Sequence, residues 1–180
     1  MKRLLSLVAV CTIALAASGQ AQAPQAPPKP GPELKRLAYF VGSWKTEGED
    51  KPGPMGPGGK STVTDKCEWM SGGFFLLMHS DGTGPMGPIH SLGVLGYDTN
   101  NKVYTYHAFD NMGMAITSTG TVTGDTWNWK SEEKVGTTTT SVRVTVKEVS
   151  PTSYTFKLEM SQNGGAWTTV SESKSTKVSS

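Results

Sequence analysis

From Trp44 onward the chain alternates apolar and polar residues in short runs, and few architectures accept so many one-sided strands. Val142, Val144 and Val146 point one way while Ser141, Arg143, Thr145 and Lys147 point the other. Tyr154, Phe156, Leu158 and Met160 oppose Thr155, Lys157 and Glu159, and Trp127 and Trp129 oppose Thr126, Asn128 and Lys130. Side chains leave a strand on alternate faces, so each run buries one face and hydrates the other. Turn residues divide the runs into about ten strands, at 44–49, 60–69, 74–79, 89–97, 102–109, 114–122, 126–130, 137–148, 154–161 and 167–176, with loops at 51–59 and 81–88. Closing such a meander on itself removes both exposed edges, which predicts an all-β, antiparallel up-and-down barrel. A two-sheet sandwich satisfies the same alternation and stands as the rival.

Ahead of the strands, Leu34, Leu37, Ala38 and Val41 recur at helical spacing behind Pro32, and predict a short N-terminal helix with one buried face. It runs directly into Gly42-Ser43-Trp44, so the helix should plug the barrel where the first strand begins. Residues 24–32 are rich in proline and read as an extended linker, leaving 33–180 for the barrel. Residues 1–23 have the form of a secretory signal: Lys2-Arg3, an apolar run from Leu4 to Ala17, then Ala21-Gln22-Ala23. Cleavage after Gly19 or Ala21 fits as well, because Pro24 obstructs the last of these sites. The apolar run is shorter than the ~20 residues of a spanning helix, so the expectation is export to the periplasm or medium, with no membrane-spanning segment.

With the signal removed, Cys11 is lost and Cys67 has no partner, which excludes an internal disulfide and predicts a buried, inert thiol. Loss of Lys2 and Arg3 balances the remaining charges, and beyond Lys35-Arg36 no basic cluster is present. A phosphate backbone requires a concentrated basic face, so a nucleic-acid partner is not expected.

The chemistry-bearing residues are sparse. His79, His90 and His107 lie on successive strands and are candidate metal ligands, although none belongs to a closely spaced ligand pair. Gly53-Pro-Met-Gly-Pro57 is echoed by Gly84-Pro-Met-Gly-Pro88; with a histidine, their thioethers are a candidate soft-metal set, and Met112 is a further one. Otherwise they are hydrophobic tips on turns. Asp110-Asn111 reads as a strand-ending turn or, with His107, as an acid-base pair of a hydrolase or isomerase. Neither a nucleophile elbow nor a phosphate-cradling loop accompanies it, so no enzyme class and no cofactor is assigned. The aromatic inventory says more. Trp44, Tyr104, Tyr106, Trp127, Tyr154 and Phe156 face the presumed interior, where they either fill the core or, with Asp110 and Asn111, line a cavity for a small hydrophobic or amphipathic ligand.

Two stretches carry a resemblance. Residues 37–48, Leu-Ala-Tyr-Phe-Val-Gly-Ser-Trp-Lys-Thr-Glu-Gly, and the block Gly96-Tyr97-Asp98 with Lys102, Tyr104 and Asp110-Asn111-Met112-Gly113, resemble a bacterial domain-of-unknown-function family, number fifteen-seventy-nine. That resemblance implies a calycin-like barrel and an unassigned activity. Phe40-x-Gly42-x-Trp44 is more distantly similar to the opening of nitrobindin-type haem barrels, and Gly42-x-Trp44 to that of lipocalins. The nitrobindin type implies a haem-ligating histidine on a late strand, for which nothing after His107 is available here.

Overall fold

The computed structural model describes residues 28–53 and 56–178. The expected signal segment, its cleavage sites and most of the proline-rich linker lie outside the described residues.

Ten strands form one closed antiparallel barrel: β1 (Gly42–Asp50), β2 (Gly59–Trp69), β3 (Leu76–Gly84), β4 (Gly87–Asp98), β5 (Val103–Asp110), β6 (Ala115–Thr123), β7 (Thr126–Val135), β8 (Thr138–Ser150), β9 (Ser153–Gln162) and β10 (Thr168–Val178). Each strand pairs with the next in sequence, and β1 closes the circle against β10 from Ser43↔Val178 to Asp50↔Ser171. The sandwich rival is thereby removed. The alternation read from the sequence is the inside-outside alternation of this wall: Trp127 pairs with Val146, and Val146 with Phe156, all three inward.

The helix differs in kind from the expectation. Pro32–Phe40 is a nine-residue 3-10 helix, and its buried residues, Leu34 and Leu37, are three apart. Three residues per turn stack positions i and i+3 on one face. Ala38 therefore turns to solvent instead of completing the apolar stripe. Hydrogen bonds fasten the helix across one barrel end. The Tyr39 hydroxyl reaches the carbonyls of Ser150 and Ser153 at 2.8 and 2.9 Å, and that of Tyr104 reaches Glu33 at 3.0 Å. The Trp44 indole donates to Phe40 at 2.7 Å. Arg36 bridges to the carbonyl of Gly124 and the carboxylate of Glu148, and Glu148 also accepts from the indole of Trp127.

The loop expected at 81–88 is also different. β3 continues to Gly84 and β4 starts at Gly87, leaving Pro85-Met86 as the turn. Gly82 reads as a loop residue but serves close approach: a Cβ there would run into the carbonyl oxygen of Thr62 on β2. Likewise β7 extends past Lys130 to Val135, because Ser131 to Val135 pair with β8 although they lack an apolar face.

Candidate functional site

Along the barrel axis the interior falls into three levels. The lowest, against the helix, is aromatic and closed. Trp44 and Trp127 are 0% exposed, and Tyr104 and Tyr154 are buried beside them. Trp127 stacks on Trp129 with ring centroids 6.1 Å apart and packs against Tyr104 at 4.8 Å and Phe40 at 5.3 Å. Four of the six aromatic candidates named from sequence thus form the floor and hold the plug.

Above the floor lies a polar belt. Inward-facing Asp65 of β2 accepts hydrogen bonds from Ser80 on β3 at 2.5 Å and from Thr46 on β1 at 3.0 Å, and Thr46 meets Ser175 of β10 at 2.7 Å. Register explains the convergence, since Asp65 is opposite Ser80 and Thr46 is opposite Ser175. No cation pairs with the carboxyl among the described residues. Burial raises its pKa, outweighing the two hydroxyl donors that lower it. Burial also pushes the neighbouring Cys67 thiol up to about 12, with the Asp65 charge adding to it, so Cys67 is buried and inert as expected. Tyr106 is pushed up to about 12, chiefly by burial. The sequence signal for this belt is that Asp65 is in phase with Val63 and Cys67, an acid on an apolar stripe.

A carboxyl whose pKa is raised on folding binds its proton more tightly in the folded chain. Stability therefore falls as pH rises from the ordinary aspartate value through the raised one, and is level above it. Asp65→Asn keeps one acceptor and removes the charge. The variant should show a flatter melting-temperature profile across that window and melt above the parent at neutral pH; a parent that melts higher at neutral pH would refute the assignment.

The upper level is open. On β2, β7, β8, β9 and β10 the inward side chains pass from buried near the helix to half-buried or exposed toward the other end. Tyr154 is buried while Phe156, Leu158 and Met160 are half-buried; Ser175 is buried while Ser173 and Ser171 are half-buried. Neighbouring strands differ in chemistry, with Val142 and Val144 of β8 on one side of the β9 residues and the hydroxyls of Ser171 and Ser173 of β10 on the other. Tyr106 projects into this space across Gly93, where a Cβ would lie 2.7 Å from its ring. A recess of about 230 Å³ between the β1–β2 and β9–β10 loops reaches Met160 from outside. A wider groove of about 920 Å³ runs along β8, β9, β10, β1 and β2, lined mostly by outward residues and also by Phe156 and Ser173. Lysines and glutamates line it, several of them joined as pairs such as Lys157–Glu159 and Lys51–Glu49, which marks a solvated wall rather than a binding chamber.

The remaining candidates are apart from the lumen floor. Asp110 accepts from the amides of Met112 and Met114, both at 2.9 Å, and Asn111 links the carbonyl of Pro88 to the amide of His90. Both hold the β5–β6 loop. His79, His90 and His107 face outward; His90 bonds Asp81 at 2.8 Å and His107 bonds Thr117 at 3.2 Å. His107 and Asp110 leave β5 on opposite faces, so the structure does not bring that pair together. Among the described residues no three His, Cys, Asp or Glu side chains converge on a metal position. Among the described residues the two Gly-Pro-Met-Gly-Pro echoes approach through Gly56 and Met86, at the open end, where a Cβ on Gly56 would be 3.0 Å from the Met86 sulfur.

A ten-stranded barrel plugged at one end and open at the other defines the class. The chain belongs to the family described as "Protein of unknown function (DUF1579)", which it matches over residues 29–177. Among solved structures it is similar to Rv2717c from M. tuberculosis, at 15% identity and a TM-score of 0.58, over 84% of this chain and 100% of that one. Two weaker likenesses are a redesigned β-barrel, at 14% identity and TM-score 0.42 over 79% of this chain and 94% of the other, and EF1p2_mFAP2b bound to DFHBI, at 11% and 0.45 over 81% and 98%. A search of curated proteins finds no match. Rv2717c shares the fold; the likeness goes no further.

Proposed function

We propose that this protein is an exported carrier that takes a small apolar or amphipathic molecule into the open half of its barrel. The observation that carries the reading is the graded burial of inward side chains. In a barrel filled to its end, Phe156, Leu158 and Met160 would be as buried as Tyr154, and they are not. Apolar side chains on β8 and β9 next to the hydroxyls of Ser171 and Ser173 on β10 suit a ligand with one greasy and one polar side. Export rests on the basic start and apolar run at 2–17. No helix among the described residues is long and apolar enough to cross a membrane.

The test is titration of the purified barrel with N-phenylnaphthylamine, a neutral dye that brightens in apolar surroundings. Saturable one-to-one uptake is expected. Leu158→Trp, which puts a large ring into the open half, should cut affinity by about tenfold or more while leaving the melting temperature within a few degrees. Absence of saturable uptake by the parent would end the reading.

A further inference from the structure

Charge on the barrel wall sorts by face. Above the aromatic floor, the charged side chains that follow the inward phase of their strands are all acids among the described residues: Asp65 in the belt, then Asp50, Asp110 and Glu133 toward the mouth. Asp110 is committed to the amides of its own loop. The lysines, arginine and histidines of the strands leave on the outer face, where acids also occur. Lys177 is the exception by phase, but it belongs to the plugged end, with its ammonium 5.2 Å from the centroid of the Trp44 ring.

Asp65 is the acid that lies deep, only 7% exposed, and its hydrogen bonds leave capacity unused. Each carboxyl oxygen receives one hydroxyl, Ser80 on one and Thr46 on the other. An ionised carboxyl has about four acceptor positions, so roughly half remain open. The Thr46 proton goes to Asp65, which makes Ser175 the donor in the Thr46–Ser175 pair and turns both hydroxyls toward the carboxyl. The titratable groups around it are Cys67 on β2, Tyr106 on β5 and Tyr154 on β9, each kept neutral chiefly by burial. None of them supplies positive charge. Toward the mouth, Ser173 and Ser61 flank Gly48, where a Cβ would come within 2.7 Å of the Ser173 Cβ and 3.1 Å of the Ser61 hydroxyl. Ser171 is next, paired with Asp50. A strip of oxygen acceptors thus descends β10, β1 and β2 from Asp50 to Asp65, and β9 beside it carries Phe156, Leu158 and Met160.

We propose that the barrel's ligand is a cationic amphiphile, a long-chain amine whose ammonium group follows this strip to the Asp65 carboxylate while its chain lies against Phe156, Leu158 and Met160. The proposal rests on the carrier reading and names the head group that reading leaves open. An ammonium supplies both things Asp65 lacks, a counter-charge and further N–H donors. An alcohol brings a donor without charge. A carboxylate head brings like charge into a lumen already acidic, which repels it. A buried acid without a counter-charge costs stability that asparagine would spare, and pairing with the ligand offsets that cost.

The experiment is displacement of N-phenylnaphthylamine from the purified barrel by decylammonium, decanol and decanoate, each below its micelle-forming concentration. At neutral pH decylammonium should displace the dye at a concentration at least about tenfold lower than decanol, with decanoate the weakest. Asp65 must ionise to form the pair, whereas the alkylammonium stays charged throughout. The advantage of decylammonium should therefore grow as pH rises from the ordinary aspartate range and level off beyond the raised value of Asp65, while decanol stays flat. Asp65→Asn should bring ammonium and alcohol within about threefold of each other and abolish the pH dependence. The ratio is taken within one protein, so a change in dye affinity cancels. A second variant, Ser80→Ala, removes a donor to the carboxylate and should move the onset of the ammonium advantage to higher pH. A carboxyl with only a structural role would leave the ratio unmoved in both variants. The proposal is overturned if the parent takes up dye but shows no preference for the ammonium head, or if Asp65→Asn retains that preference; the carrier reading survives either result. A parent that takes up no dye ends both.

Discussion

Trp127→Ala should destabilise the barrel by about 3–5 kcal/mol and lower its melting temperature by roughly 10 °C or more. Trp127 is 0% exposed and joins the helix to the wall in three ways. Its ring fills the space between Trp129, Tyr104 and Phe40; its indole donates to Glu148 at 2.7 Å; and the Arg36 guanidinium, 2.7 Å from the same carboxylate, is 5.4 Å from the ring centroid. Truncation removes the transfer free energy of a large side chain and leaves a void that a closed wall cannot collapse into. Trp127→Phe keeps most of the packing and loses the hydrogen bond, so it should fall between Ala and parent. Trp167→Ala removes an exposed indole and should cost no more than about 1 kcal/mol. Urea unfolding of the three variants decides the matter: if Trp127→Ala is as mild as Trp167→Ala, the floor does not hold the plug.

The contrast shows where sequence reading succeeds and where it stops. Alternation identifies Trp127 and Phe156 equally as inward residues, because the pleat has period two on every strand. It does not reveal their height on the barrel axis, which depends on strand tilt and stagger around the closed wall. Height makes Trp127 part of the floor and Phe156 part of the open half. Closure was legible from the meander's two bare edges, but the register of its seam was not, because it joins Ser43 to Val178 and neither strand carries a mark of the other. The helix was legible from Pro32 and its leucines, but not its 3-10 winding, which only packing against the aromatic floor selects. The Asp65 belt is a composite of four strands, and each contributes one unremarkable hydroxyl or carboxyl; its parts become a site only through register. Asp110 and Asn111 stood out in the sequence, and together they brace the loop that carries Met112 and Met114, Asp110 through the amides of that loop and Asn111 through Pro88 and His90 of β4.

Gly82→Ala should be the most damaging single methyl group in the wall, at upwards of about 3 kcal/mol, while Gly84→Ala two residues away should cost less than about 1 kcal/mol. Both glycines lie on β3 and face inward, and both would pass a composition test as loop residues. They differ in what a side chain would meet. At Gly82 a Cβ would run into the carbonyl oxygen of Thr62 and come within 2.7 Å of the Cα of Val63, which is backbone already paired in the β2–β3 ladder. Relief requires separating the two strands, and in a closed barrel separation at one seam strains the rest. At Gly84 the nearest atom is the terminal methyl of Ile89 at 3.0 Å, which a rotamer change withdraws, and the added methyl slightly restricts the unfolded chain in its favour. Because Gly82 is paired between Val63 and Ile89, residues of the open half, the Gly82→Ala barrel should also lose saturable dye uptake whereas Gly84→Ala should keep it. Equal melting temperatures for the two variants would mean that β2 and β3 do not approach as closely as the ladder requires, and the shape assigned to the mouth would fall with that contact.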